Sequence, residues 1–66
     1  MNFVLDAENR MGNMFKMQFD NLHDAYVAIK SIEKANAILD KDHMFYGQVT
    51  KVNDTDSEDK TVILVF

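Results

Sequence analysis

The chain begins with two stretches in which apolar and polar residues alternate. Residues 2–7 place Phe3 and Leu5 on one side and Val4 on the other. Residues 14–19 place Lys16 and Gln18 opposite three apolar side chains, Phe15, Met17 and Phe19. Since successive side chains of a strand point to opposite faces, both stretches are predicted strands. Between them, the turn-forming residues of "ENRMGN", residues 8–13, predict a hairpin in which Gly12 supplies a positive φ.

The longest apolar pattern has helical spacing. Asp20 or Asn21 can cap this helix, and Asp24 places a negative charge in its first turn, where it meets the positive end of the helix dipole. The pattern predicts one amphipathic helix of about five turns, roughly 30 Å long at 1.5 Å per residue. Its main apolar positions are Leu22, Ala25, Ile29, Ile32 and Leu39.

Aromatic and β-branched residues return after the helix. Met44 to Val52 is the predicted third strand, in which Gly47 indicates a bulge or a close approach of two backbones. The polar stretch "NDTDSEDK", residues 53–60, is a predicted hairpin loop, and Thr61 to Phe66 is the predicted fourth strand.

These elements predict an α+β fold with the order β-β-α-β-β, in which a four-stranded, mainly antiparallel sheet carries one helix on one face. We expect residues 1–66 to form a single domain, because Pro is absent and no linker or repeat divides the chain. The apolar fourth strand favours a central place in the sheet. The expected strand order is therefore 2-1-4-3, with the first and fourth strands parallel.

The closing run "KTVILVF", residues 60–66, predicts that both faces of the sheet are apolar. In a regular strand Val62, Leu64 and Phe66 lie on one face, and Ile63 and Val65 lie on the other. One helix covers only one face, so a second copy of the chain or a different protein is expected to cover the other. Two-fold self-association is the commonest closed symmetry, which favours a homodimer with Ile63 and Val65 in its interface.

Composition adds three constraints. A chain of 66 residues buries only ~60% of the surface that its unfolded form exposes, and without cysteine it has no stabilising disulfide, which again favours self-association. Eleven acidic and seven basic side chains give a formal charge of −4, which opposes non-specific binding to nucleic acid. Neither a signal-peptide pattern nor an apolar window of ~20 residues occurs, so the expected location is the cytoplasm, away from membranes.

Candidate catalytic and metal-ligating residues are few. A helix directs His23 and Asp24 along neighbouring rather than converging directions, which favours a surface histidine over an acid-base pair. His43, with Asp40 and Asp42, can hold a divalent ion loosely, although a solvated helix end gives the same pattern.

The acidic stretch that begins at Asp54 matches a calcium loop only in part. Its first, third and fifth positions are acidic, but the sixth position needs Gly and is Asp59, and the twelfth needs Glu and is Val65. We therefore expect a solvated hairpin loop, with weak calcium affinity as a minor alternative. Ser31 and Ser57 have no histidine at an inferable distance and the chain has no Gly-rich phosphate loop, so we expect no enzymatic activity, no cofactor and no bound metal.

The excess of acidic side chains has two interpretations. Charge alone favours the simpler one, in which it aids solubility. The more specific one is docking onto a basic groove of another protein, including a groove that normally holds DNA or RNA. The expected function is that of a small non-enzymatic module that binds a larger protein, such as a nucleic-acid-binding enzyme. The residues expected to contact that protein are Asp54, Asp56, Glu58 and Asp59 in the loop, with Met44, Tyr46 and Val65 on the second sheet face.

The alternative function is a sheet that binds nucleic acid or another ligand. "HMFYGQV", residues 43–49, resembles the aromatic strand on which RNA-binding sheets stack bases, with Phe45 and Tyr46 as the platform. Lys51 is the basic residue near this stretch, and a platform without a basic patch binds nucleic acid poorly. Direct nucleic-acid binding is therefore the less favoured hypothesis.

The chain is very short and acidic, lacks Cys and Pro, and is rich in Met, Asn, Asp and Lys. In this general style it is similar to the small early proteins of large tailed bacteriophages. That resemblance implies an inhibitor or modulator that binds a larger host or defence protein in the host cytoplasm.

Overall fold

The computed structural model describes residues 2–53 and 56–66, and within them four strands and one helix follow one another in the predicted order. The helix packs on one face of a four-stranded sheet, so the predicted α+β fold class is confirmed. The elements are β1 (Asn2–Glu8), β2 (Met14–Phe19), α1 (Leu22–Asn36), β3 (Tyr46–Asn53) and β4 (Asp56–Val65).

The predicted strand order was wrong. The sheet has the order β2-β1-β3-β4, and each neighbouring pair is antiparallel, so β1 and β4 are neither adjacent nor parallel. The fully buried Leu5 of β1 pairs with the fully buried Val49 of β3, which makes these two strands the centre of the sheet. Gly47 permits this pairing, because a side chain at that position would collide with the main chain of β1 at Asp6.

Two of the predicted strand boundaries also shift. β3 begins at Tyr46, two residues after the predicted start at Met44, whereas β4 begins at Asp56 and takes in much of the stretch predicted as a loop. Asn53 pairs with Asp56, so polar composition alone did not prevent these residues from joining a sheet ladder.

The helix is shorter than its apolar pattern predicts. Of the two predicted caps, Asp20 and Asn21, it is Asn21 that caps the helix, its Oδ1 accepting from the Asp24 N–H at 2.9 Å. The helix ends at Asn36 after 15 residues, about 22 Å at 1.5 Å per residue, instead of continuing to Leu39. Ile38 beyond this end is 88% exposed, so its apolar side chain contributes little to the core.

The core lies between α1 and the sheet. Burial of one large aliphatic side chain contributes about 1.5 to 3 kcal/mol, so this small cluster supplies much of the stability of the chain. Phe15 and Phe45 extend it with an edge-to-face contact whose ring centroids are 5.1 Å apart. Its buried members are Phe3, Leu5, Ala7, Ala25, Ile29 and Val49.

A β-bulge at Ile63 changes which side chains of β4 face the core. Val49 pairs with Leu64, whereas the next residue of β3, Thr50, pairs with Val62, which leaves Ile63 as the extra residue. Ile63 and Leu64 both pack against the core cluster.

The prediction of strict alternation along β4 was therefore wrong at two positions. Val62 leaves the core side, and Ile63 joins it rather than sharing the opposite face with Val65. Val65 does lie on the opposite face and is 77% exposed. The second face of the sheet therefore carries Val62 and Val65 instead of the predicted pair Ile63 and Val65.

Candidate protein-binding face

The face of the sheet opposite α1, here called the helix-free face, is set by the alternation of β1. Leu5 and Ala7 are buried beneath the helix, so Asp6 and Glu8 point to the helix-free face. Antiparallel partners share a face, and the strand register therefore specifies which side chains surround these two carboxylates.

The first row of side chains across the helix-free face is centred on Glu8. Its partner on β2 is Met14, and its partner on β3 is Tyr46. Met14 is 76% exposed and Tyr46 is 46% exposed, so two large apolar side chains flank one carboxylate at this end of the sheet.

The second row is centred on Asp6. Its partners are Lys16 on β2 and Gln48 on β3, and Gln48 in turn pairs with Val65 on β4. Lys16 Nζ lies 3.6 Å from Asp6 Oδ1, which makes a cross-strand ion pair between side chains that stay largely exposed. An exposed pair of this kind contributes well under about 1 kcal/mol, so its main effect is to balance the charge of Asp6.

The two rows line a groove of about 590 Å³. Its walls combine the exposed side chains of Met14, Tyr46 and Val65 with the carboxylates of Asp6 and Glu8. Ligand sites typically have volumes of ~300 to 1,000 Å³ and mainly apolar walls with a few polar groups, and this groove has both properties. The remaining lining residues are Ala7, Phe15, Lys16, Gly47, Gln48 and Phe66.

Gly47 determines the floor of this groove. Its N–H and C=O each bond to Phe66 at 2.9 Å, while a Cβ on Gly47 would lie 1.8 Å from the carbonyl oxygen of Asp6. The close backbone approach predicted at Gly47 is therefore confirmed. Main-chain atoms of β1, β3 and the end of the chain meet here without an intervening side chain.

Asn9 organises the hairpin that leads from Glu8 to Met14. Its buried side chain accepts at Oδ1 from the N–H groups of Met11 and Asn13, both at 3.0 Å, and donates from Nδ2 to the carbonyl of His43 at 3.5 Å. Gly12 in the same turn has φ +87°, which confirms the predicted positive φ. The sequence did not single out Asn9, although an Asn that opens a turn is the available signal for such a side-chain cap.

The residues predicted as a binding site are only partly brought together. Tyr46 and Val65 line the groove, whereas Met44 lies before β3 and outside the groove. Met14 and Glu8 belong to the groove but were not predicted, because only the strand register reveals that they neighbour Tyr46.

The predicted acidic contacts and the predicted interface residue Ile63 have different outcomes. Asp54 lies outside the residues that the structure describes. For the other three acidic residues the structure describes the backbone, as part of β4, but not the side chains: Asp56, Glu58 and Asp59. Ile63 packs against the core cluster and so cannot present its whole side chain to a second protein.

Phe45 and Tyr46 do not form a shared platform. Phe45 is partly buried against the core, where it contacts Phe15, and Tyr46 points to the helix-free face. Stacking of two bases on this pair would need both rings on one accessible face.

The segment after the helix contains a local turn around Asp40. Its Oδ1 accepts from the N–H groups of Asp42 and His43, both at 3.1 Å, and contacts His43 Nδ1 at 2.7 Å. The hydrogen bond from the His43 ring is the main cause that lowers the pKa of the Asp40 carboxyl below its ordinary value. Among the described residues, no three His, Asp or Glu side chains are grouped as metal ligands would be.

Comparison with known protein families, curated proteins and solved structures finds no match to this chain. In the part of the chain that the structure describes, α1 falls short of the length and apolar character that a membrane-spanning helix requires.

Proposed function

We propose that this chain is a non-enzymatic protein-binding module that acts through the helix-free face of its sheet. The observation that carries the proposal is the grouping of Met14, Tyr46 and Val65 around one groove. Two of these side chains are more than three-quarters exposed. Exposed apolar side chains that gather around a concave surface with polar groups at its edge are typical of interaction sites.

A protein partner is favoured over nucleic acid by the charges at the groove. Asp6 and Glu8 line it together with Lys16, so the lining carries one more negative than positive charge, on a chain of formal charge −4. Phosphate groups would be repelled by such a surface. The core position of Phe45 further weakens the alternative of a base-stacking sheet.

More specifically, we propose that the chain is an inhibitor or modulator of the bacteriophage type. It would bind a larger host or defence protein, such as a nucleic-acid-binding enzyme, in the host cytoplasm. The style of the sequence supports this form, and the acidic residues of the stretch 54–59 would extend the contact surface: Asp54, Asp56, Glu58 and Asp59.

Self-association is the second part of the proposal. A homodimer would cover Val65 and its exposed neighbour Val62 on the helix-free side of β4. Because Val65 also lines the groove, the second copy and the larger protein would compete for the same face. Partner binding should therefore weaken as the concentration of the chain rises.

The experiment that tests the function is affinity capture from bacterial lysate with matched surface variants. The groove variant is Met14→Ser with Val65→Ser, and the control is Leu22→Ser with Val27→Ser, two helix residues that are each about half exposed. We expect the wild type and the helix variant to retain the same protein and the groove variant to lose it. Capture that survives in the groove variant, or that never exceeds empty beads, would contradict the proposal.

A further inference from the structure

The position of Glu8 in the groove gives it an unusual pair of neighbours. It is the middle residue of a row whose other members, Met14 and Tyr46, are large, apolar and exposed. On a sheet, directly paired side chains have Cβ atoms ~4.5 to 5.5 Å apart, so the side chains of Met14 and Tyr46 stand directly beside that of Glu8.

The carboxylates of Glu8 and Asp6 have different neighbours. Asp6 faces Lys16 in the next row, with Nζ and Oδ1 3.6 Å apart, so a positive charge already stands beside it. The direct cross-strand partners of Glu8 are Met14 and Tyr46, and neither is a basic residue. The groove therefore presents one carboxylate between apolar walls, which complements a cation that carries an apolar stem.

We infer that the groove binds an arginine side chain presented by the partner protein. The aliphatic part of that side chain would lie against Met14, its guanidinium would stack on the Tyr46 ring, and its N–H groups would donate to the Glu8 carboxylate. Arginine fits better than lysine because its planar, weakly hydrated guanidinium both stacks on an aromatic ring and bonds to a carboxylate in a bidentate manner. This inference rests on the proposed protein-binding function and names the chemistry of the partner.

The inference can be tested without knowledge of the partner. The probe is the amide of N-acetyl-arginine, titrated up to about 100 mM into the labelled protein at constant ionic strength while NMR chemical shifts are followed. The matched control probe is the amide of N-acetyl-citrulline, which keeps the shape of arginine but lacks its charge. We expect shifts that centre on Glu8, Met14 and Tyr46, with citrulline binding roughly fivefold more weakly.

Two protein variants locate the effect. Glu8→Gln removes the groove carboxylate and should abolish the preference for arginine over citrulline. Glu33→Gln makes the same change of charge on the exposed surface of α1 and should leave the preference intact. Equal binding of the two probes by the wild type, an unchanged preference in Glu8→Gln, or no shift at the groove with either probe would each overturn the inference.

The outcome is separable from the proposed function itself. If Glu8→Gln still captures the same protein as the wild type while Met14→Ser with Val65→Ser loses it, the protein-binding function stands and the arginine inference falls. If neither variant changes capture, the groove is not the binding site and both proposals fail. If a lysine probe binds as well as arginine, charge alone is recognised and the stacking on Tyr46 is refuted.

Discussion

The side-chain amide of Asn36 closes two hydrogen bonds with the main chain of Phe45. Nδ2 donates to the Phe45 carbonyl and Oδ1 accepts from the Phe45 N–H, both at 2.9 Å. Asn36 is the last residue of α1 and Phe45 directly precedes β3, so this pair ties the end of the helix to the start of a central strand. The next residue is Tyr46, and the position of one groove wall therefore depends on the end of the helix.

Replacement of Asn36 by Ala should lower the free energy of unfolding by about 1 to 3 kcal/mol, because the partly buried N–H and C=O of Phe45 would lose their partners. The higher helix propensity of Ala partly offsets this loss. Urea denaturation measures the change, with Asn13→Ala in the exposed hairpin as the control. A loss no greater than that of the control would show that water replaces the Asn36 amide without cost.

The two glycines should respond differently to replacement by Ala. At Gly47 the added Cβ would meet the Asp6 carbonyl oxygen at 1.8 Å, so β1 and β3 must separate, and we expect a loss of about 3 kcal/mol or more. At Gly12 nothing lies within 4 Å of the added Cβ, and the cost comes only from φ +87°, about 1 kcal/mol.

Thermal unfolding of the two glycine variants makes the comparison. Gly12→Asn is a useful third variant, since Asn tolerates a positive φ and should lose less stability than Gly12→Ala. Equal losses at Gly47 and Gly12 would contradict the close packing of β1 against β3.

Lysine substitutions at Ile63 and Val65 of β4 distinguish a core position from a surface position. Ile63→Lys removes an aliphatic side chain from the edge of the core and should destabilise the fold by at least about 2 kcal/mol. Val65→Lys changes a side chain that is 77% exposed and should alter the stability of the monomer by less than about 0.5 kcal/mol.

The same pair of variants tests the proposed homodimer. Sedimentation equilibrium should show that Val65→Lys dissociates the dimer while the monomer remains folded. If Val65→Lys unfolds the chain and Ile63→Lys does not, the assignment of these residues to opposite faces is incorrect. A wild-type chain that stays monomeric at every concentration would refute the dimer alone.

The stability of the turn around Asp40 should depend on pH. The His43 ring lowers the pKa of the Asp40 carboxyl, so a ¹³C NMR titration should place its midpoint below the ordinary value of 3.8. A group with a lowered pKa in the folded state contributes stability at pH values above its unfolded pKa, and this contribution disappears as the pH falls through the folded pKa. Acidification below the ordinary value should therefore loosen residues 40–43 first.

Removal of the ring in His43→Ala should move the Asp40 midpoint upward towards 3.8, because the first cause of the lowered pKa is the hydrogen bond from that ring. His23→Ala removes an exposed ring from the first turn of the helix and should leave the Asp40 midpoint unchanged. A midpoint that is the same in His43→Ala and the wild type would show that the backbone N–H groups of Asp42 and His43 alone hold the carboxylate.

Local features of the fold could be predicted from the sequence. Alternation in residues 14–19 predicted β2, the helix cap was predicted to be Asp20 or Asn21, and Gly12 was predicted as the positive-φ residue of the hairpin. Each of these features is decided by residues within a few positions of one another, where propensity and capping dominate.

Features that depend on distant residues could not be predicted. The helical pattern continues to Leu39, but α1 ends where Asn36 bonds to Phe45, nine residues further along the chain. The bulge at Ile63 arises in the pairing of β4 with β3, and alternation within β4 alone gives no sign of it. The groove combines residues from all four strands and therefore follows from the register rather than from any single motif.

The bulge in β4 also affects whether copies of the chain associate through their edge strands. β4 is the outermost strand on its side of the sheet, and its apolar second half has the composition of segments that recruit further strands into fibrils. An extra residue at Ile63 interrupts the regular spacing of the ladder and increases the local twist, which hinders a flat incoming strand. Deletion of Ile63 would remove the bulge and make β4 a regular edge strand. Copies of the chain should then polymerise through the edges of their sheets.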